Sequence, residues 1–356
     1  MKTAIMYGAL GRDDRPDLAD SLVQAETAAR VLTGLDCQVR QLTMDLDSSV
    51  TARRLMELRP DLVINLVDEI QGRGDVLHLA PALLEQLGLA YTGSDSWALY
   101  ATSNKPLAKR LMADAGLPTP AWITARGSGN IEECREPMII KSVWDHGSVG
   151  LDDDCLVGFS GKDRIQALLQ SRVGAWFAET YIPGREFNVA LLQDKGQVLT
   201  LPIAEIDFLD YAPDKPRVVG YRAKWEAGSF EYHHTPRRFD HRLEDRPLLD
   251  QLAGLARQCW DLFELKGYAR VDFRVDEQGR PWILEVNANP CLSPDAGFAA
   301  AARECGIGLE GAMERIVCSA LADASGQTGP QRTRAGLEWP PEQVEDWGYV
   351  GSISIN

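Results

Sequence analysis

Between Gly267 and Pro290 the chain reads GYARVDFRVDEQGRPWILEVNANP, two runs of β-branched, aromatic and aliphatic residues around the polar turn Asp276-Glu277-Gln278-Gly279. That composition predicts a β-hairpin. Val271, Phe273 and Val275 alternate with Arg270, Asp272 and Arg274 in the first run. In the second, Trp282, Leu284 and Val286 alternate with Ile283, Glu285 and Asn287. One face is apolar and the other carries chemistry. An even-numbered loop places Arg270 and Asp272 on the side of Glu285 and Asn287, with Val271 and Phe273 beside Leu284 and Val286. An odd-numbered loop opposes the two sets unless a bulge intervenes. The apolar alternation favours the even loop. Two carboxylates, an amide oxygen and a guanidinium then converge, an oxygen set that suits Mg²⁺ with water or phosphate completing its shell. The same residues also fit an ordinary surface hairpin with charges on its wet face.

Upstream, Thr3–Tyr7 and Leu62–Val67 are short apolar runs, Cys37–Leu42 reads as another strand, and Leu18–Leu32 and Ala52–Leu58 follow a helical period. Strands alternating with helices predict a parallel sheet. The ligands of such sheets sit beyond the carboxyl ends of the strands. The loops found there carry Asp13, Asp14 and Asp17, and Asp68 and Glu69, either as substrate contacts or as solvated charges. Pro81–Leu87 reads as a short helix, Tyr91-Thr92-Gly93-Ser94 as a boundary, and Asn104–Ala115 as an amphipathic helix with Lys105 in its first turn. A lysine there opposes the helix dipole unless an anion sits nearby.

Pro137–Lys141 is an apolar strand ending in a lysine, and the loop His146-Gly147-Ser148-Val149-Gly150 follows. Backbone N–H groups of a glycine-containing loop can wrap phosphates, although strand-lysine-turn is a common arrangement. Ala175–Tyr181 and Glu186–Leu192 are strands interrupted at Pro183-Gly184, with Glu179, Tyr181 and Ile182 at the break. Backbone there can hydrogen-bond a purine edge and Glu186 can hold ribose hydroxyls; an ordinary hairpin fits equally. From Asp207 to Arg238 the composition is loop-like. Pro247–Leu262, Phe298–Cys305 and Leu309–Ala320 read as helices.

At 356 residues the chain suits two or three domains. Acidic residues outnumber basic ones 52 to 37, a formal charge of -15 that repels phosphate backbones and anionic headgroups, so neither nucleic acid nor membrane is expected as a partner. No signal-peptide pattern and no long apolar run stands in the chain, which predicts a soluble cytoplasmic protein. The seven cysteines are scattered and never spaced as C-x-x-C. Neither a disulfide framework nor a zinc site is expected, and all but Cys291 read as small buried hydrophobes. After Ala322 the chain turns polar, and Trp339 and Trp347 predict a tail that docks.

Taken in order, Lys105, Lys141 with its glycine loop, the Glu179–Glu186 break, Lys224, Arg270, Asp272 and the E-x-N at Glu285 and Asn287 resemble the ATP-grasp ligases, nearest to the D-alanine–D-alanine ligase group. YTGS, GYARVDF and LEVNANP carry most of the likeness, which spans Met1 to about Ala322. The resemblance implies an α/β ATP-grasp fold. Residues 1–100 would form a parallel α/β substrate domain, 101–185 a central lobe with the phosphate loop, 186–322 a carboxy-terminal lobe with the Mg²⁺ site, and 323–356 a linker and tail. It implies ATP and Mg²⁺, with Mn²⁺ able to replace the latter, and a homodimer. Lys105, Lys141 and residues His146 to Gly150 would hold phosphates, with Ser148 also placed in catalysis. Glu179, Tyr181 and Ile182 would hold adenine, Glu186 ribose, Lys224 the γ-phosphate and Asp272, Glu285 and Asn287 the metal, while Arg270 would steady an oxyanion. The implied reaction is phosphorylation of a carboxylate by ATP followed by attack of an amine, joining small-molecule amino-acid or carboxylate and amine substrates.

The departures from the group lie on the substrate side. The family's glycine-rich amino-terminal motif is replaced by GALGRDDRPDLADS, and its serine and tyrosine align with Gly147 and Trp225. A final-loop glycine aligns with Cys291, and the serine that receives the second substrate's carboxylate aligns with Ala296. The expectation is therefore a carboxylate–amine ligase whose amine is not D-alanine, with an acidic residue among Asp13, Asp14, Asp68 and Glu69 on the first substrate's ammonium. A D-alanine–D-alanine ligase proper and a non-catalytic ATP-binding regulator are the alternatives. Arg270 argues against the regulator, which has no use for an oxyanion donor.

Overall fold

The structure is a computed structural model that describes residues 1–9, 16–131, 137–145, 147–148, 150–151, 155–158 and 161–326, of which 16–18 are described by backbone alone. Asp13, Asp14, His146, Val149, Cys134, Trp339 and Trp347 lie outside the described residues.

The amino-terminal part alternates β1 (Lys2–Gly8), α1 (Pro16–Gly34), β2 (Gln38–Met44), α2 (Ser48–Leu58), β3 (Leu62–Asn65) and α3 (Leu79–Gln86). The strands form a parallel sheet in the order β2-β1-β3, as the strand–helix alternation requires. Helix α1 covers one face, where Ala25 and Leu32 meet Ile5 and Ile64. Helices α2 and α3 cover the other, where Leu55 and Leu84 meet Met6 and Val63. Two covered faces explain the unbroken burial along the middle of β1. Asp17, expected in the preceding loop, lies in α1, because Pro16 is tolerated in a first helical turn. In the Tyr91–Ser94 stretch Tyr91 bridges Val63 in parallel, and Thr92 Oγ1 accepts the Asn65 N–H at 3.1 Å.

Next come α4 (Ser96–Ser103), α5 (Lys105–Asp114), β4 (Trp122–Thr124), β5 (Met138–Ser142), β6 (Leu156–Val157), α6 (Lys162–Ser171) and β7 (Trp176–Thr180). Their strands form an antiparallel sheet in the order β4-β7-β5-β6, onto which α6 packs Ile165 and Leu169. The remainder holds β8 (Arg185–Asp194), β9 (Gln197–Thr200), β10 (Ala204–Ile206), α7 (Tyr221–Trp225), α8 (Phe230–His234), β11 (Arg237–Arg238), α9 (Arg246–Leu262), β12 (Tyr268–Val275), β13 (Pro281–Asn287), α10 (Gly297–Glu304) and α11 (Gly308–Gly326). Here the order is β11-β10-β8-β12-β13, with β9 paired to β8. Helices α4, α5 and α9 fill one face, while α10 and α11 pack the other against α1 and the first sheet. The stretch expected as loop from Asp207 to Arg238 contains α7, α8 and β11, elements too short to show a hydrophobic period.

The β12–β13 hairpin has the expected convergence and an unexpected route to it. Arg270 opposes Asn287 and Asp272 opposes Glu285, but the turn, residues 276–280, is odd in number. A β-bulge at Leu284 absorbs the difference, so Phe273 opposes Ile283 and not Leu284. Ile283 is therefore the fully buried core residue, and Leu284 turns with Glu285 toward a cavity. Among the described cysteines none forms a disulfide; Cys155 and Cys259 are buried as expected, whereas Cys305 and Cys318 are exposed. Among the described residues no helix is long and apolar enough to cross a membrane.

Candidate active site

Helix α5 supplies the first cations. Asn104 caps it by accepting the Leu107 N–H, and Pro106 fits its first turn. Its buried stripe is Lys105, Ala108, Lys109 and Met112, the i, i+3, i+4, i+7 spacing of one helix face. Two lysines therefore stand where apolar residues belong. Lys105 Nζ donates to the Asp145 carbonyl at 2.7 Å, and Lys109 Nζ donates to Thr119 Oγ1 at 2.9 Å. Burial lowers both ammonium groups; Lys141 deepens the effect while Glu285 near Lys105 and Glu179 near Lys109 offset it in part.

In the antiparallel pairing of β5 with β7, Ile139 opposes Glu179, which makes Lys141 the diagonal neighbour of Glu179 on the same face. Lys141 Nζ lies 2.6 Å from Glu179 Oε1. Burial would raise the Glu179 carboxyl, yet Lys109 and Lys141 outweigh it and hold the group below the usual carboxylate range. Burial would likewise lower Lys141, and Glu179 with Glu285 leaves it raised instead. Glu179, expected at adenine, borders the cavity together with Thr180, Tyr181 and Ile182, and it also anchors two buried lysines.

The glycine loop bends as wrapping requires: Gly147, Ser148 and Gly150 all hold positive φ, of 67°, 65° and 70°. It is tied to the segment entering α7, since Ser148 Oγ donates to the Val219 carbonyl at 2.8 Å and Trp225 Nε1 to the Gly147 carbonyl at 2.8 Å. Gly150 stands against the Trp176 ring and away from the cavities, where a Cβ would lie 2.6 Å from that indole.

On the hairpin face, Arg270 grips Asp272 with Nε and Nη2, at 2.8 and 2.9 Å, and Asn188 donates to the same carboxylate at 2.8 Å. Burial alone would lower the Arg270 guanidinium; Asp272 and Glu285 raise it. Arg274 lies 3.3 Å from Glu186 and donates to the Gly184 and Arg217 carbonyls. Burial raises the Glu186 carboxyl, which Arg274 only partly offsets and Asp272 reinforces. Lys224 is lowered by burial and then by Arg270.

These groups line two adjoining cavities of about 90 and about 430 Å³. Lys105, Lys141, Ser148, Tyr181, Ile182 and Glu186 border the smaller; Asp68, Glu69, Trp225, Cys291, Ala296, Asn287 and Arg270 border the larger. Asp145, Gly147, Glu186, Val219, Lys224, Asp272 and Glu285 belong to both, so four carboxylates and one lysine stand at the junction of the two chambers, with Lys105 and Lys141 on one side of it and Arg270 on the other. The walls of the larger hold a buried polar net. Asp20 accepts from Cys291 Sγ at 3.0 Å and from Ser293 Oγ at 2.5 Å, and Asn289 Nδ2 donates to the Val67 carbonyl at 3.0 Å. Burial raises the Cys291 thiol and the Asp20 carboxylate adds to it, so the sulfur stays protonated as a donor. Burial, then Glu69 and more weakly Asp20, pushes the Asp68 carboxyl up to about 7.

Lys109, Arg274, Asp20 and Asn289 are functional neighbours that sequence reasoning missed. Lys109 was signalled by its place on a buried stripe and Arg274 by its place on the polar hairpin face; Asp20 and Asn289 depend on contacts between distant segments. Among the described residues no group of three or more His, Cys, Asp or Glu is placed to hold a metal ion by itself. The hairpin offers two carboxylates and an amide, a set that relies on ligand oxygens from elsewhere.

A family model described as the D-ala D-ala ligase C-terminus matches residues 111–318. An uncharacterized protein, y4sG, from Sinorhizobium fredii is 31% identical over 248 residues, 69% of this chain and 70% of its own length. D-alanine–D-alanine ligase from Gloeobacter violaceus is 30% identical over 328 residues, 90% of this chain and 100% of its own. Among solved structures, D-alanine–D-alanine ligase from Bacillus anthracis complexed with ATP superposes with a TM-score of 0.65 at 18% identity, covering 92% of this chain and 99% of that one. Such low identity carries the fold, and the fold is ATP-grasp.

Proposed function

We propose, from the premise that this chain belongs to the D-alanine–D-alanine ligase family and is an ATP-dependent ligase forming carbon–nitrogen bonds, that it joins an amino acid's carboxylate to an amine other than D-alanine. The observation that carries this reading is the junction where Lys224, Asp272 and Glu285 border both chambers, with Lys105 and Lys141 on one side and Arg270 on the other. ATP takes the smaller chamber: Tyr181 and Ile182 lie at its base, Glu186 at its ribose, and Lys105, Lys141, Gly147 and Ser148 at its phosphates. The amino-acid substrates take the larger.

A carboxylate is a poor electrophile until phosphorylated, and phosphorylation crowds negative charge that the lysines and Arg270 oppose. Bound at Asp272, Glu285 and Asn287, whose oxygens fit its preference for carboxylates, amides and water, Mg²⁺ would neutralise more of that charge. Arg270 is oriented by both oxygens of Asp272 and serves the oxyanion of the tetrahedral step. The loop ties through Ser148 and Trp225 close the junction against water, which would hydrolyse an acyl phosphate. Asp68 or Glu69 binds the first substrate's ammonium. The protein acts in the cytoplasm as a homodimer, on small molecules and not on nucleic acid or membranes.

Trp225, spent on the Gly147 carbonyl, and Ala296, which has no hydroxyl, favour an amine partner different in shape from D-alanine. The names of the relatives favour a second reading, a D-alanine–D-alanine ligase proper. A phosphate-release screen over amino acids, singly and in pairs, separates them: D-alanine alone should stay at background while another pair releases ADP and phosphate.

A further inference from the structure

The larger cavity is closed on one side by β11, where strand alternation turns two neighbouring arginines to opposite faces. Arg238 opposes Glu205 and Arg237 opposes Ile206. Arg238 is held by Glu205 at 2.6 Å and by Asp207 at 3.2 Å. Arg237 lines the rim of the cavity instead, from an exposed position, and its hydrogen bond runs from Nη1 to a backbone carbonyl, that of Asp295, at 3.0 Å. Among the described residues no carboxylate lies in ion-pair reach of it, whereas Arg185, Arg270, Arg274, Arg280 and Arg315 are each held by one.

Two further features meet at the same spot. Helix α10 begins at Ala296 with no side-chain cap, and its first helical hydrogen bond is the one from Ala300 N–H to the Ala296 carbonyl, which leaves the preceding N–H groups without a helical acceptor. A Cβ on Gly297 would lie 3.5 Å from Arg237 Nε, so the guanidinium stands over that helix start. Arg270 borders the same cavity; desolvation by the surrounding protein, then Arg270, disfavours the Arg237 cation, and Asp295 offsets this in part. An anion entering there meets two guanidinium groups and relieves their repulsion.

We propose that Arg237 is a specificity-determining residue that receives a carboxylate carried by the amine substrate, so that the amine partner is an amino acid or a short peptide with a free carboxyl end and not a simple amine. The assignment rests on the ligase reading above for the words amine substrate. It supplies by charge what Ala296 cannot supply by a hydroxyl. A charge-assisted hydrogen bond lost from such a site costs roughly tenfold to hundredfold in affinity.

The test compares the wild-type chain with Arg237→Met and Arg237→Lys. Phosphate release with ATP is measured over amino acids in pairs, each amine partner offered as the free acid and as its carboxamide. Thermal stabilisation by the same compounds is read in parallel with a non-hydrolysable ATP analogue bound. The wild type should prefer the free acid by tenfold or more. Arg237→Met should raise the KM for the acid by tenfold or more, leave the carboxamide and ATP nearly unaffected, and lose the stabilisation; Arg237→Lys should restore part of both. Equal acid-over-amide preference in wild type and Arg237→Met, or none in the wild type, overturns the assignment while leaving the ligase reading intact. Stabilisation that depends on carboxylate and on Arg237 without turnover in any pair keeps the carboxylate site and removes the ligase reading. Absence of both turnover and stabilisation removes both.

Discussion

Lys109 Nζ lies 2.5 Å from Glu179 Oε2, and both side chains are 1% exposed. The other oxygen of Glu179 is held by Lys141 at 2.6 Å. One carboxylate thus anchors two lysines, one facing the smaller cavity and the other behind it. The arrangement predicts an unequal pair of variants. Glu179→Gln removes the shared ion-pair partner of two buried ammonium groups and should cost about 3–5 kcal/mol, the range for breaking a buried ion pair. Lys109→Met leaves the Lys141–Glu179 pair intact and should cost clearly less. Urea midpoints for the two variants check the order, and equal losses would contradict the shared-anchor account.

Asp272 and Glu285 oppose each other in register and border both chambers. Each of Asp272→Asn and Glu285→Gln removes a negative charge from a site that must hold a divalent cation beside a triphosphate. Turnover should be abolished at saturating Mg²⁺ while the far-UV circular dichroism stays that of the wild type. Near-normal turnover in either variant would remove that residue from the metal site.

Arg270 should act mainly in the transition state. Arg270→Met keeps much of the length and removes the donors, so kcat should fall about a hundredfold or more with little change in ATP affinity. A variant that loses ATP binding instead would make Arg270 a nucleotide clamp.

The raised Asp68 carboxyl gives a pH dependence with a definite sign. If the ionised form binds the ammonium of the first substrate, that substrate's KM should fall as pH rises through about 7, and Asp68→Asn should flatten the profile. Stability runs the other way. The folded value lies above the unfolded one, so the folded state binds the extra proton and the wild type loses stability as pH rises from about 4 toward about 7. Asp68→Asn should therefore gain Tm relative to the wild type at pH 8 and not at pH 4. A KM profile unchanged by the substitution would leave Asp68 a wall residue.

Much of this architecture could be read in the chain because alternation and polarity agreed. Asp272 and Glu285 stood out as carboxylates in strands, and the parallel sheet followed from strand–helix alternation. The bulge at Leu284 could not be read, because Ile283 and Leu284 are both apolar and no polarity contrast marks which one enters the core. Lys109 was concealed by its type: a lysine on a helix is expected in water, as Arg110 is, and only the stripe shared with Lys105, Ala108 and Met112 reveals it. The net joining Asp20 and Gln24 to Cys291, Leu292 and Ser293 closes between α1 and the loop after β13, a separation that no local pattern spans.

The most direct test of the central claim is product analysis of the purified protein with ATP and Mg²⁺, by mass spectrometry and ADP release together, offering D-alanine alone beside a panel of amino-acid pairs. The account predicts an ATP-dependent amide from at least one pair and no D-alanyl-D-alanine above background. Robust D-alanyl-D-alanine synthesis, or no amide from any pair, would contradict it.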